Sequence, residues 1–187
     1  MKRLIIYPLS LLVLFSVLTS CGDKDLSLIN EVKRFDPEWM NLSEQVSGID
    51  RLIRITDRRY EQDLNEVDPF ISDPASNERS NLFGLKSQYR NMMVERDELK
   101  TKFEEQKAKF VETVHEFNEW QNDLMKNKVD LGTARTTLEG YQKQHNAIKA
   151  EITETEKAVE DNIQTHNSIM RRITSSLKLY TNYDIAY

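Results

Sequence analysis

A column of apolar residues that recurs every seven positions constrains this chain more than any other feature. The column runs through residues 103–180 and is broken only by two histidines. Its members are Phe103, Phe110, Phe117, Leu124, Leu131, Leu138, His145, Ile152, Val159, His166, Ile173 and Tyr180. A repeat of this length is typical of helices that pack against other helices. No proline occurs after Pro74, and the sequence therefore predicts an all-α protein.

Composition agrees with this prediction and excludes some partners. Charged residues make up 30% of the chain, with only 5 Gly and 4 Pro, a balance that favours helices with solvated faces over a β-sandwich or barrel. The net charge is −5 although Lys2 and Arg3 open the chain. Because nucleic-acid binding draws on cationic contacts to phosphate, we expect no nucleic-acid partner.

The first twenty residues have the pattern of a secretory signal peptide. A basic start is followed by an apolar run from Leu4 to Leu18 and by two small residues before Cys21. Such a pattern predicts cleavage rather than a lasting membrane span, because a spanning helix needs about 20 apolar residues. We therefore assign residues 1–20 to a signal peptide.

The sequence Leu18-Thr19-Ser20-Cys21 resembles the lipobox of bacterial lipoproteins. The resemblance implies that the Cys21 thiol carries a diacylglycerol in thioether linkage and that its new amino terminus carries an acyl chain such as palmitate. It implies no other cofactor. Several acyl chains on one residue form a stable membrane anchor. The alternatives are a cleaved secretory signal or an uncleaved anchor in which the cysteine is incidental.

The residues after the cysteine bear on its destination. Gly22 is compatible with sorting to the outer membrane in lipoproteins of the enterobacterial type. The stretch Gly22-Asp23-Lys24-Asp25 also partly resembles the acidic export signal of Bacteroidota surface lipoproteins, although a plain polar tether remains the alternative. We expect a bacterial outer-membrane location, on either the periplasmic or the surface face.

Past the anchor, we predict a lipidated tether over residues 21–35 and a helical bundle over 36–187. Asp36 and Pro37 have the types preferred at the N-cap and first position of a helix, so the first helix is placed at about 37–67. Its apolar column is Trp39, Val46, Ile53, Tyr60 and Val67. Two Asp-Pro pairs within residues 68–74 predict the break that follows.

Residues 127–133 decide whether the remaining chain forms one helix or two. Asn127 can adopt the left-handed cap conformation, Asp130 can cap a new helix, and Gly132 weakens a continuous one. These signals favour helices at about 76–126 and 130–180 in an elongated antiparallel three-helix bundle. In it, the hairpin lines one set of apolar residues against another: Phe103, Phe110 and Phe117 against Ile163, Val159, Ile152 and Ile148. The alternative is one very long helix in an oligomeric coiled coil.

Two surface features are candidate binding sites. Arg51, Arg54, Arg58 and Arg59 form a basic cluster on the first helix, suited to a lipid phosphate or an acidic partner, unless they pair with the acid-rich long helices of the same chain. The tail contains three tyrosines that suit partner binding or closure of the bundle end. They are Tyr180, Tyr183 and Tyr187.

No pattern in the sequence predicts catalysis. The chain has no phosphate-binding glycine loop and no nucleophile elbow. His145 and His166 lie about 30 Å apart on one helix, so we expect polar core positions rather than a shared metal site. We therefore predict neither catalytic residues nor a metal.

Together these features predict a lipoprotein that is not an enzyme. Its expected role is that of a structural or interaction subunit of a cell-envelope complex, with other envelope proteins as partners and a homo-oligomer as a further possibility. The alternative is a chaperone-like module that holds client polypeptides between helical arms.

Overall fold

The computed structural model describes residues 25–71 and 80–177, which form three long α-helices and, within those ranges, no strand. Helix α1 is Leu26–Ile71, α2 is Ser80–Met125 and α3 is Leu131–Leu177. At 1.5 Å per residue each is about 70 Å long. The three helices pack against one another, which confirms the all-α three-helix bundle.

Contacts between helices define their directions. Lys102 meets Glu154 and Lys109 meets Glu151, so α2 and α3 are antiparallel. The Lys107 ammonium contacts Asp50 and the Lys100 ammonium contacts Asp57, so α1 and α2 are also antiparallel. Helices α1 and α3 consequently run in the same direction.

The chain reverses at residues 126–130. Asn127 has a φ of 56°, and the Lys128 N–H donates to the Asp123 carbonyl at 2.9 Å while the Asn127 N–H donates to Leu124 at 3.1 Å. These bonds form a Schellman cap. Asp130 Oδ2 then accepts from the Thr133 N–H at 3.1 Å and caps α3. The predicted turn is confirmed, and the alternative of one continuous helix is wrong.

The residues that the sequence lines up across the hairpin lie in one apolar cluster, but their register along the hairpin differs from the order in which they were predicted. The Phe117 ring packs on Tyr141, with centroids 5.3 Å apart, rather than opposite Ile148. Gln106 Nε2 donates to the Glu151 carbonyl at 3.3 Å, in agreement with that shifted register. Because the turn is short, each residue of α2 meets a residue of α3 closer to the turn than we expected.

The predicted start of the first helix at Pro37 was also wrong. Helix α1 begins at Leu26, and its cap is Asp25, whose Oδ1 accepts from the Ser27 and Leu28 N–H groups at 3.1 and 3.2 Å. Residues 26–35, assigned to the tether, therefore belong to α1. Asp36 instead accepts from Gln121 Nε2 at 2.9 and 3.1 Å.

Burial explains why α1 continues through Pro37. The stripe of α1 that faces the other helices extends on both sides of this proline, and its buried members here are Leu28, Val32, Trp39 and Leu42. Pro37 lies on the exposed face, where water can satisfy the carbonyl that loses its partner. Pro69 is likewise inside α1, which ends at Ile71 rather than Val67. The second Asp-Pro pair lies outside the described residues.

The core consists of two apolar clusters. The larger extends from the α2–α3 turn to about the middle of the bundle and contains an aromatic group in which Trp39 lies 5.7 Å from Phe117 and 4.8 Å from His145. The smaller, at the opposite end, includes Tyr60, Leu85, Tyr89, Met92, Ile169, Met170 and Ile173. Trp39 is buried in the larger cluster, and the partly buried Trp120 packs against it.

Replacement of Pro37 by alanine distinguishes a helix interior from a helix start. Within a helix, proline costs about 3 kcal/mol relative to alanine, so we expect Pro37→Ala to raise the free energy of unfolding by about 1–3 kcal/mol in urea denaturation of residues 22–187. Pro69→Ala, which lies in the last turn, should give a smaller gain. A Pro37→Ala variant that is unchanged or less stable would contradict the continuous helix and restore a start at Pro37.

Candidate functional site

The structure divides the predicted arginine cluster into two pairs. Arg54 forms a salt bridge with Asp50 and Arg59 forms one with Asp63 at 2.9 Å, so both partners lie on α1 itself rather than on the long helices. Arg51 and Arg58 are exposed. Neither makes a salt bridge with any residue in 25–71 or 80–177. These two side chains are the part of the cluster available to a partner.

Two other predicted sites lie outside the described residues. Cys21, the expected lipidation site, precedes the described residues, and the tyrosines of the tail follow them: Tyr180, Tyr183 and Tyr187. They therefore stay predictions from the sequence.

A ladder of polar contacts joins α1 to α2. The Lys107 and Lys100 ammonium groups each lie 2.6 Å from a carboxylate, on Asp50 and Asp57 respectively. The two lysines are seven residues apart on α2, and the two aspartates are seven residues apart on α1. The two contacts therefore repeat with the seven-residue period of the core. The Arg96 guanidinium also lies 3.2 Å from the Asp57 carboxylate. Sequence inspection missed this ladder, although a spacing of seven between acids of one helix was its signal.

The most unusual cluster in the bundle is a set of polar side chains inside the core. The Tyr60 ring stacks on the His166 imidazole, with centroids 3.9 Å apart and planes inclined by 17°. Asp63 Oδ2 lies 3.4 Å from His166 Nε2. All three residues have no exposed surface. With Tyr89 and Asn162, we name this set the polar layer.

Hydrogen bonds connect the polar layer to all three helices. The Tyr60 hydroxyl of α1 donates to Asn162 Oδ1 of α3 at 3.2 Å, and Asn162 Nδ2 donates to the Met92 carbonyl of α2 at 3.1 Å. The Tyr89 hydroxyl of α2 donates to the Tyr60 carbonyl at 3.2 Å. The Arg96 guanidinium lies 5.8 Å from the centroid of the Tyr60 ring. The layer therefore couples the axial positions of the three helices.

Burial controls the charges in the polar layer. Loss of water lowers the pKa of His166 to about 4, although the neighbouring Asn167 side chain opposes the shift, and the nearby Arg59 cation adds to the lowering. The imidazole is therefore neutral near pH 7. Burial raises the pKa of the Asp63 carboxyl, while Arg59 opposes that rise. Burial, followed by the charge of Asp63, raises the pKa of the Tyr89 hydroxyl.

The polar layer is enclosed by the three helices. The polar groups lie inside the packed bundle, and the adjoining space between α2 and α3 is an open groove of about 670 Å³ with Met92 and Ile169 among its lining residues. No cluster of three or more potential metal ligands occurs among the described residues. His145 is also buried, with Nε2 3.2 Å from the Glu38 carbonyl. The prediction that His145 and His166 occupy polar core positions is confirmed.

Comparison of the chain with known protein families, with characterised proteins and with solved structures finds no match. Across the ranges that the structure covers, no helix has the length and apolar character needed to cross a membrane. The class of protein that the fold defines is thus an elongated three-helix bundle with a polar layer in its core.

The polar layer should make stability depend on pH through His166. Below pH 6.5 the unfolded imidazole takes up a proton, whereas the folded one does so only near pH 4. Between pH 6.5 and pH 4, each unit by which the pH falls therefore lowers the free energy of unfolding by at most about 1.4 kcal/mol. The contribution of His166 to the free energy of unfolding is fully present above pH 6.5. The raised pKa of Asp63 acts in the opposite direction, so the effect is best measured as a difference between variants.

We expect His166→Gln to flatten the decrease in urea midpoint between pH 7 and pH 5. His115→Gln is the matched control, because that side chain is 72% exposed on α2, and it should leave the slope as in the wild type. Equal slopes for His166→Gln and wild type would contradict the neutral buried imidazole.

Proposed function

We propose that this protein is an outer-membrane-anchored lipoprotein that serves as a non-enzymatic structural or interaction subunit of a cell-envelope complex. The observation that carries the proposal is the sequence Leu18-Thr19-Ser20-Cys21 at the end of a short apolar run. A thiol at this position is the group to which a diacylglycerol is attached in bacterial lipoproteins.

The start of α1 supports this proposal. Asp25 caps the helix only four residues after Cys21, and its Oδ2 accepts from Arg135 Nη2 of α3 at 2.7 Å. Hydrogen bonds from the Ser27 hydroxyl and Arg135 and from the Leu28 N–H lower the pKa of Asp25 to about 2, so this carboxylate is charged at neutral pH. A lipid on Cys21 would thus be coupled to the bundle through a short connection.

The interior of the bundle supports a structural role. Its buried histidines contact aromatic rings and backbone or carboxylate oxygens of neighbouring helices. Charged side chains of α1 and α2 contact one another across the helix interface. Contacts of this kind fix the positions of helices, and they leave the exposed Arg51 and Arg58 as cations for an acidic partner surface.

Replacement of Cys21 tests the anchor. We expect Cys21→Ala to abolish incorporation of labelled palmitate and to move the protein from the membrane fraction to the soluble fraction, because no other side chain in the chain has a thiol. Ser20→Ala keeps a small residue before the cysteine and should retain both properties. Palmitate labelling of Cys21→Ala at the wild-type level would show the anchoring proposal to be wrong.

Photo-crosslinking in intact cells tests the role as a subunit. A photoreactive amino acid at Arg51 or Arg58 should give one or a few discrete crosslinked products, whereas the same group at the exposed Thr101 of α2 should give few. A broad range of product sizes from all three positions would instead support the client-holding alternative. The absence of any product from positions 51 and 58 would count against these arginines as a contact surface.

A further inference from the structure

We propose that one end of the bundle rests on the lipid headgroups of the membrane that holds the anchor, so that the bundle projects away from the bilayer. We name this end the base and define it by Leu26, Lys126, Lys128 and Leu131. The proposal depends on the lipidation of Cys21 proposed above and adds an orientation and a contact surface to it.

Chain length places the base near the anchor. Four peptide units separate Cys21 from Asp25, and even a fully extended chain of this length spans at most about 14 Å. Each helix is about 70 Å long. Because α1 and α3 are parallel and α2 is antiparallel to both, the start of α1, the start of α3 and the α2–α3 turn lie at the same end. The base is thus the part of the bundle closest to the lipid.

The connection between anchor and base is held by specific contacts. Arg135 Nη2 of α3 donates both to Asp25 Oδ2 and to the Ser27 hydroxyl oxygen, each at 2.7 Å. Its Nη1 lies 4.0 Å from Glu31. These bonds fix the start of α1 against α3, so the short tether leads to a defined surface rather than to a loose helix end.

The side chains of the base suit a lipid surface. Leu26 is 68% exposed and Leu131 is 42% exposed, and each is the first residue of its helix. Lys126 and Lys128 are exposed beside them. The Lys128 ammonium lies 3.7 Å from the Asp123 carboxylate. Apolar side chains that enter the headgroup region, next to lysines that reach lipid phosphates, are typical of membrane-surface contacts.

The sides of the bundle are less suited to that contact. The other large apolar side chains that are exposed among the described residues occur singly along the helices; they are Met40, Ile55, Val94 and Val111. Between them the exposed surface mixes carboxylates with lysines, as in the pairs Glu104–Lys107 and Glu154–Lys102. The end-on orientation is therefore favoured over one in which the bundle lies flat.

Fluorescence quenching on the full-length lipidated protein tests this orientation. Because Cys21 is the only cysteine in the chain and carries the lipid, a cysteine introduced by Leu131→Cys is the one free thiol for an environment-sensitive dye. Thr101→Cys, near mid-length, and Arg90→Cys, about 50 Å from the base along α2, carry the same dye as matched controls. Circular dichroism verifies that each variant is folded.

In phosphatidylcholine vesicles that contain phosphatidylglycerol and spin-labelled lipid, we expect most of the fluorescence to be lost from position 131 and little from positions 101 and 90. The double variant Lys126→Glu with Lys128→Glu should weaken quenching at position 131, and more so with phosphatidylglycerol than without it. Lys149→Glu, on the exposed side of α3, should have no such effect.

The other outcomes separate the two proposals. Protein that fails to sediment with the vesicles would contradict the anchor as well as the orientation. Protein that sediments while position 131 is no more quenched than position 90 would overturn the base contact and leave the anchor intact. Equal quenching at all three positions would show that the bundle lies flat, and would also overturn the proposal.

Discussion

The reversal of the chain at Asn127 is the constraint on which the rest of this structure depends. The apolar column continues on both sides of it without a change of period, so the pattern alone would allow α2 and α3 to continue as one helix. The left-handed Asn127 and the cap at Asp130 prevent that. Once the chain turns there, the two stripes can cover each other, and α1 needs only to fill the remaining side of the core.

The length of the turn also sets which residues meet. A repeat of seven residues presents nearly the same apolar surface after each shift by one heptad, so apolar matching cannot choose between Tyr141 and Ile148 as the neighbour of Phe117. The short connection chooses Tyr141. This is why the number of helices and the position of the turn could be predicted from the sequence, whereas the pairing along the hairpin could not.

The start of α1 shows a local rule overridden by packing. Asp36 and Pro37 have the residue types of a helix start, yet burial of Leu28 and Val32 extends the helix to Leu26. The sequence did contain a signal for this extension, because Val32 precedes Trp39 by seven residues and belongs to the same apolar column. In the arginine cluster the missed signal was the i, i+4 spacing from Asp50 to Arg54 and from Arg59 to Asp63, which favours pairing within the helix.

The polar layer removes an ambiguity that apolar heptads leave. If α3 slid by one heptad along α1, His166 would exchange places with Val159 or Ile173, and Tyr60 would lose the ring on which it stacks. His166 would then face apolar side chains instead of the Asp63 carboxylate, while Asp63 would keep only Arg59 of its own helix. Burial of a polar group that has lost its partner costs free energy. The layer thus stabilises the observed register mainly by penalising the others, which is the role of polar core residues in helical assemblies.

The proposed base limits what Arg51 and Arg58 can contact. Arg51 and Arg58 lie about 40–50 Å along α1 from Leu26, at 1.5 Å per residue. With the base on the bilayer, that height is several Debye lengths above the lipid phosphates at physiological ionic strength. Their exposed cations could not then bind the headgroups of the anchoring leaflet. In that orientation an acidic protein surface, rather than lipid phosphate, is the partner that fits this part of the cluster.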